Sequence, residues 1–344
     1  MKFGILGSGS WATALVKILT DNKHHINWWI RNQSVIDHLN SSHHNKQYLT
    51  SCYFDTTLIN ASSNLKQVIN DSDSIIIAVP SAFIEETFAE LSPDIFYNKK
   101  VISAIKGILP INNLLLNEYL FQRFNVQLKD YFAVLGPCHA EEVASEKLSY
   151  LTFSGADAVT NKTISSFFRS SYINVIENND IYGVQFAAVM KNIYALGAGI
   201  AHGLDYGDNF LSVLIANSAD EMAGFLKQAG IKNIEVGHFS NEDVNAFQRI
   251  NYAASVYLGD LLVTCYSLFS RNRTFGNMIG KGYSVIAAQL EMNMIAEGYN
   301  ASKCMHHINK KIGAAMPIAD GIYKILWENA SALSTFKKLE IDLF

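Results

Sequence analysis

The sequence predicts an α/β N-terminal domain with a parallel-rich sheet, followed by an all-α C-terminal domain. Short apolar runs alternate with helical patterns through the first half of the chain, which is typical of parallel strands joined by helices. From about Tyr182 onward, long helical patterns replace the strand signals. A chain of 344 residues has room for about two domains. We therefore predict domains at 1–180 and 181–344.

The individual elements follow from local periodicity. Runs of β-branched and aromatic residues predict strands at 2–6, 25–30, 74–79, 100–104, 131–135 and 148–154. Apolar residues at helical spacing predict helices at 10–19, 83–91, 164–168 and 211–229. Gly230 follows the last of these as a C-cap signal. The polar segments 43–45 and 60–64 are predicted to be solvated loops or helix ends.

Composition and charge exclude several classes of protein. The 27 basic and 31 acidic residues leave a net charge of −4, without the basic excess that binding to nucleic acid or anionic membrane requires. A hydrophobic content of 49% argues against disorder. The four cysteines form no Cys-x-x-Cys pair and no signal peptide is evident, so we expect a reduced, cytoplasmic protein. The ten histidines lack the spacing of metal ligands, and we predict no metal site.

A glycine-rich turn between the first strand and the first helix predicts dinucleotide binding. It has the form G-x-G-x-x-A, in which Gly7 permits a tight turn and Gly9 leaves room for a pyrophosphate. Ala12 lets the helix pack closely on the strand, and the helix N-terminus then faces the anion. The strand–turn–helix context therefore indicates a Rossmann-like domain.

Arg31 follows the second predicted strand, where an acidic residue usually holds the ribose of NAD. No acid is present there, and an arginine suits the additional phosphate of NADP. The alternative is an ordinary surface arginine in a loop. We expect NAD(P)H as cofactor, with NADP slightly favoured over NAD.

Lys191 is the one charged residue in the apolar segment 184–199. A membrane-spanning helix would place this charge in lipid at a high cost, so a buried core helix is the favoured interpretation. Burial lowers the pKa of a lysine and suits it to exchange a proton with a substrate oxygen. A lysine that reaches the surface or pairs with an acid is the alternative. Asn192, Gly197 and Gly199 fit a helix pressed against a ligand or another helix.

Taken together, these features closely resemble the bacterial NAD(P)-dependent glycerol-3-phosphate dehydrogenase family. Besides the glycine loop and Lys191-Asn192, the resemblance rests on Val79-Pro80-Ser81, Lys106-Gly107 and the segments 136–142, 258–261, 270–276 and 297–299. It implies reversible reduction of dihydroxyacetone phosphate to sn-glycerol 3-phosphate, which supplies glycerophospholipid synthesis. It also implies a small phosphorylated substrate and a common homodimer.

The resemblance assigns roles residue by residue. It makes Lys191 the proton donor and acceptor, with Lys106 and Asp260 as its catalytic partners. The cofactor positions are Gly7, Gly9, Ser10, Trp11, Arg31, Lys106, Ala140, Arg271, Ile295 and Glu297. The substrate positions are Lys106, Gly136, Cys138, Lys191, Asp260, Ser270, Arg271 and Asn272. Arg271 offers a planar fork for the phosphate.

The chain departs from the family pattern at three places. Cys138 replaces a serine or threonine, and a thiol is a weaker hydrogen-bonding group than a hydroxyl. Tyr257 replaces a glycine, and the stretch 232–255 is longer than the family leads us to expect. Two alternative functions stay open at this point, a related β-hydroxyacid dehydrogenase and a non-catalytic dinucleotide-binding sensor.

Overall fold

The computed structural model describes residues 1–231, 253–292 and 296–343. The chain divides into two units, Met1–Ile105 with Leu114–Ile181 and Lys106–Asn113 with Tyr182–Phe344. The segment Lys106–Asn113 comes from the first half of the chain but belongs to the second unit. No pattern in the sequence indicated this exchange, and it places Lys106 in the same unit as Lys191.

In the part of the chain that the structure describes, the first unit is built on one eight-stranded sheet. Its strands are β1 (Phe3–Leu6), β2 (Ile26–Trp29), β3 (Ile59–Ser62), β4 (Ser74–Ile77), β5 (Lys100–Ser103), β6 (Tyr131–Leu135), β7 (Ser149–Gly155) and β8 (Ile173–Asn178). The order is β3-β2-β1-β4-β5-β6-β7-β8. Neighbouring strands are parallel except β6 and β7, which pair antiparallel. The predicted parallel-rich sheet is thereby confirmed.

The helices of the first unit lie between these strands. They are α1 (Ser10–Asp21), α2 (Gln33–Ser42), α3 (Leu65–Asn70), α4 (Ile84–Thr87), α5 (Leu116–Phe124), α6 (Ala140–Ala144) and α7 (Ala158–Ser166), with 3₁₀ turns at Thr56–Leu58, Ser81–Phe83 and Leu128–Asp130. Apolar residues of β1, β2 and α1 are buried in one cluster, which fixes the strand–turn–helix unit in place.

Two of the predictions for this unit are wrong in part. The predicted solvated loop or helix end at 60–64 is wrong for residues 60–62, which belong to the edge strand β3, and is confirmed for Asn64, the exposed N-cap of α3. The sequence of β3 is polar and therefore gave no strand signal. The strand is held instead by main-chain pairing with β2 and by a hydrogen bond from Asn60 Nδ2 to Asn27 Oδ1 (3.0 Å). The predicted helix at 83–91 is limited to α4, which follows a 3₁₀ turn.

The regular structure described in the second unit is helical, as predicted. The helices are α8 (Ile181–Gly203), α9 (Asp208–Gln228), α10 (Asp260–Tyr266), α11 (Arg271–Gly280), α12 (Val285–Glu291), α13 (Glu297–Ile312), α14 (Pro317–Trp327) and α15 (Ala332–Asp342). A π-helical stretch, Ala253–Gly259, leads into α10. Residues 232–252 of the long stretch lie outside the described residues, and its role stays a prediction.

Helix α8 is the buried core helix that the sequence predicted. Its length and composition are those of a membrane-crossing helix, but 94% of its most apolar window is buried inside the protein. A strongly apolar helix with this burial is typical of a protein core.

Helix α8 contacts α11 through glycines on both helices. A Cβ atom added at Gly199 would clash with the carbonyl oxygen of Arg273, and one at Gly276 would clash with that of Leu196. One turn further along, Gly203 lies against Gly280 in the same way. Contacts therefore advance in the same direction on both helices, which run parallel with their backbones touching. Of the two partners predicted for the glycines of α8, a ligand or another helix, Gly199 contacts a helix, α11.

We predict that Gly199→Ala lowers the free energy of unfolding by about 1–3 kcal/mol, because α11 must move away to admit the methyl group. Equilibrium urea denaturation measures the change. The matched control is Gly224→Ala in α9, where an added Cβ meets no atom within 4 Å. That variant should be more stable than the parent by about 0.5–1 kcal/mol, because alanine favours a helix over glycine. Equal effects of the two substitutions would contradict the close helix contact.

Candidate active site

Lys191 lies in the middle of α8 with 3% of its surface exposed. Its ammonium group donates a short hydrogen bond to Asp260 Oδ1 and a second one to Thr264 Oγ1 at 3.1 Å. Asp260 and Thr264 are four residues apart on α10 and so lie on the same face of that helix. Two helices thereby hold the lysine nitrogen at a defined position.

The surroundings of Lys191 bring its pKa close to neutral pH. Burial, the largest cause, lowers the pKa of Lys191 from 10.5 to about 7. The carboxylate of Asp260 opposes this shift, whereas the nearby ammonium group of Lys106 adds to it. Near pH 7 the side chain is therefore populated both as ammonium and as amine, which equips it to give or to accept a proton.

Lys106 contributes a second positive charge to the same carboxylate. Its Nζ lies 3.8 Å from Asp260 Oδ2, and 20% of its side chain is exposed. Asp260 Oδ2 is buried and has no hydrogen-bond partner among the described residues. Since an unpaired buried acceptor is costly, this atom is well suited to receive the hydroxyl of a bound ligand.

A chain of three hydrogen bonds fixes the backbone at Lys106. The main-chain N–H of Gly298 donates to Asn272 Oδ1 (2.9 Å), and Asn272 Nδ2 donates to Asn192 Oδ1 (3.0 Å). Asn192 Nδ2 in turn donates to the carbonyl oxygen of Lys106 (2.9 Å). Asn272 and Asn192 are both buried. Asn272 therefore also positions Lys106, beyond the substrate contact that its sequence motif predicted.

The N-terminus of α11 provides the conditions for binding an anion. Ser270 is its N-cap, and the serine hydroxyl accepts a hydrogen bond from the N–H of Arg273 (3.3 Å). Arg271 is the first residue of this helix and is exposed. The helix dipole and a guanidinium group at the same end both favour negative charge.

The glycine loop of the first unit fits a pyrophosphate. Gly7 has a φ of +121°, and a Cβ there would lie 2.8 Å from the carbonyl oxygen of Ala78. At Gly9, by contrast, an added Cβ meets no atom within 4 Å, so space is open beside the backbone. The main-chain N–H groups of Ser8 and Gly9 have no acceptor in the described part of the chain. Helix α1 begins at Ser10 and points its N-terminus to the same loop.

The other predicted positions are placed as follows. Gly136 has a φ of +128°, and a Cβ there would lie 2.7 Å from the carbonyl oxygen of Tyr150. The backbone conformation and the lack of space therefore both require glycine at this position. Cys138 and Ala140 are buried, Trp11 is half-buried and Arg31 is exposed. Glu297 is the first residue of α13. Ile295 lies outside the described residues.

The structure brings together Lys106, Lys191, Asp260 and Asn272, which are up to 166 residues apart in the chain. Sequence reasoning missed Thr264 as a partner of Lys191. Its spacing of four residues from Asp260, in a region with a generally helical pattern, was the available signal, because such residues share one helix face. Within the described residues, no group of three or more His, Cys, Asp or Glu side chains has a metal-binding arrangement.

Comparison with known proteins agrees with this geometry. A model of the NAD-dependent glycerol-3-phosphate dehydrogenase N-terminus matches residues 2–160, and a model of the C-terminus matches residues 180–337. This chain belongs to the NAD-dependent glycerol-3-phosphate dehydrogenase family. The glycine loop lies in the first matched region, and Lys191, Asp260 and Arg271 lie in the second.

Individual members of the family are similar over nearly the whole chain. Glycerol-3-phosphate dehydrogenase (NAD(P)+) of Oceanobacillus iheyensis is 32% identical over 341 residues, which cover 98% of this chain and 93% of that protein. The enzyme of the same name from Bacillus subtilis is 32% identical over 339 residues, with the same coverage. The crystal structure of glycerol-3-phosphate dehydrogenase from Coxiella burnetii has a TM-score of 0.87 at 25% identity and covers 98% of both chains.

We predict that the pKa of Lys191 is measurably near 7 and depends on Asp260. NMR of the protein labelled with ¹³C at the lysine Cε should show a lysine signal with this midpoint, which Lys191→Met removes. Asp260→Asn should lower the midpoint by about 1–3 units, because the opposing negative charge is lost. Thr264→Val, which removes an uncharged partner, should change it less. An unchanged midpoint in Asp260→Asn would contradict the electrostatic role of that residue.

Proposed function

We propose that this chain catalyses the reversible, NAD(P)H-dependent reduction of dihydroxyacetone phosphate to sn-glycerol 3-phosphate. The observation that carries the proposal is the buried Lys191, which has a pKa of about 7 and is held by Asp260 beside Lys106. Membership of the family and the similarity to enzymes with this name support the substrate and the reaction.

The protein residues manage the proton and the charge of this reaction. The nicotinamide ring, when bound, supplies the hydride to the carbonyl carbon. Lys191 donates a proton to the carbonyl oxygen during reduction and removes it again in the reverse direction. Lys106 stabilises the negative charge that develops on that oxygen. Asp260 orients Lys191 and keeps part of its population in the ammonium form.

The phosphate group of the substrate binds at the N-terminus of α11 in this proposal. Arg271 supplies paired N–H donors and positive charge, and Ser270 and Asn272 supply further polar contacts. Gly136 and Cys138 are the additional substrate positions that the family resemblance implies. The reduced hydrogen-bonding strength of the Cys138 thiol makes its contact weaker than that of a hydroxyl.

The first domain, at 1–180, binds the dinucleotide, and the second, at 181–344, carries Lys191 and Asp260. The third catalytic residue, Lys106, lies in the segment Lys106–Asn113 that belongs to the helical unit. Cofactor contacts are proposed for Gly7, Gly9, Ser10, Trp11, Lys106, Ala140, Arg271, Ile295 and Glu297. Arg31 favours NADP over NAD, because an exposed guanidinium group after β2 suits a ribose phosphate.

The setting of the reaction is proposed from the same features. The four cysteines are buried and form no disulfide bond, which suits a reducing cytoplasm. The product is the precursor of glycerophospholipids, and a homodimer is the assembly that the family resemblance implies.

Oxidation of NADH and of NADPH, each with dihydroxyacetone phosphate, tests substrate and cofactor together. Turnover of a keto acid instead would indicate a β-hydroxyacid dehydrogenase, and cofactor binding without turnover would indicate a sensor.

We expect Lys191→Met to reduce kcat about 10²–10⁴-fold, because the proton donor is lost while the side-chain volume is kept. Binding of NADH, followed by its fluorescence, should change less than threefold. In the parent enzyme, reduction should slow as pH rises through about 7, and oxidation of glycerol 3-phosphate should accelerate over the same range. NADH deuterated at the transferred position verifies that hydride transfer limits the rate. Parental kcat in Lys191→Met would remove this lysine from the mechanism.

Arg271→Ala should lower kcat/KM for dihydroxyacetone phosphate about 10²–10³-fold, mainly through KM, because a charge-assisted contact with the phosphate is lost. Unphosphorylated dihydroxyacetone is the internal control, since its kcat/KM should stay within about threefold of the parent. An equal loss with both ketones would place Arg271 outside the phosphate site.

A further inference from the structure

The carbonyl oxygens of the glycine loop, residues 7–9, are all held by side chains of the first unit. Each accepts a hydrogen bond from a different buried residue. The three contacts are Trp28 Nε1 to Gly7 O (2.7 Å), Asn45 Nδ2 to Ser8 O (3.3 Å) and Thr13 Oγ1 to Gly9 O (2.9 Å). The loop backbone is therefore fixed from the side that faces the protein.

Asn45 makes the contact that reaches furthest along the chain. The sequence predicted a solvated residue in segment 43–45, and this is wrong for Asn45, which is 1% exposed. Its Oδ1 accepts hydrogen bonds from the N–H groups of Gln47 (3.0 Å) and Tyr48 (3.2 Å). These bonds fix the amide plane and direct Nδ2 to Ser8 O and to Thr13 Oγ1 (2.8 Å).

Peptide geometry converts these contacts into a direction for the loop N–H groups. In a planar trans peptide, the C=O of one residue and the N–H of the next point in opposite directions. Holding Ser8 O against Asn45 therefore turns the Gly9 N–H the other way, and the Trp28 contact does the same for the Ser8 N–H. Within the loop, these two N–H groups have no acceptor among the described residues, and Gly9 borders open space.

We propose that Asn45 is a positioning residue for the dinucleotide. Through Ser8 O and Thr13 Oγ1 it holds the loop N–H groups toward the pyrophosphate and keeps a carbonyl dipole from turning to the anion. Without it, the peptide between Ser8 and Gly9 is free to rotate, and binding must then include the cost of ordering it. The proposal rests on the proposed function only in taking a dinucleotide as the ligand.

The test is a binding measurement on Asn45→Ala by isothermal titration calorimetry, with NADH and ADP-ribose as probes. Both probes carry the pyrophosphate, and their Kd should rise about tenfold, as expected for loss of loop ordering and of one or two hydrogen bonds. AMP, which lacks the pyrophosphate, should be affected less than twofold as a competitive inhibitor. At saturating NADH, kcat and the KM for dihydroxyacetone phosphate should stay within twofold of the parent.

Asn161→Ala is the matched control. Asn161 is also 1% exposed, and its Nδ2 donates to the carbonyl oxygens of Phe153 (2.8 Å) and Asn178 (3.2 Å), on β7 and β8 rather than beside the loop. It should lower the melting temperature and leave the Kd of both probes unchanged. An equal loss of binding in both variants, or a Kd within twofold of the parent in folded Asn45→Ala, overturns the proposal.

Thr13→Val provides a second variant should Asn45→Ala fail to fold. It keeps the side-chain shape and removes the hydroxyl that joins Asn45 to Gly9 O, so it should raise the Kd of ADP-ribose in the same direction. The double variant should lose less than the sum of the two, because both act on one network. A parent protein that binds NADH but reduces no ketone contradicts the proposed function and leaves this inference standing, whereas one that binds neither probe overturns both.

Discussion

The close contact between α8 and α11 determines the geometry of the candidate active site. With Gly199 and Gly203 facing Gly276 and Gly280, the two parallel helices touch at the backbone, and their relative position along the axis has little freedom. The same alignment places Asn192 of α8, closer to the N-terminus of that helix, within hydrogen-bond distance of Asn272 in the first turn of α11. The hydrogen bonds that hold the Lys106 backbone therefore depend on residues that carry no side chain.

The electrostatics of the site depend on three charged side chains, Lys106, Lys191 and Asp260, that lie close together in a largely buried position. Asp260 receives two ammonium groups, and burial disfavours the ammonium form of Lys191 more than this carboxylate favours it. The result is a lysine that titrates near neutrality, which an exposed lysine does not do. A net charge of −4 for the whole chain excludes a broad polyanion-binding face, but a few cations in one pocket are sufficient to bind a small phosphate.

In the glycine loop, uncharged side chains fix the backbone by hydrogen bonds. Its carbonyl oxygens are bound to Trp28, Asn45 and Thr13, so the opposite N–H groups are already directed outward. In each unit, buried polar groups thus fix the backbone of the candidate ligand-binding groups. Such preorganisation lowers the ordering cost of binding and the reorganisation cost of the reaction.

The sequence by itself determined the features that arise within one segment. Alternating strands and helices, the G-x-G-x-x-A loop and the lone charge of α8 are local patterns, since periodicity and residue type act over a few neighbours. Motif order then indicated the family and most candidate residues. Only the tertiary structure decided that Thr264 bonds Lys191, that Lys106 belongs to the helical unit and that Asn45 is buried beneath the loop. These contacts join residues 32 to 154 positions apart, so they depend on how the helices and strands pack rather than on any local pattern.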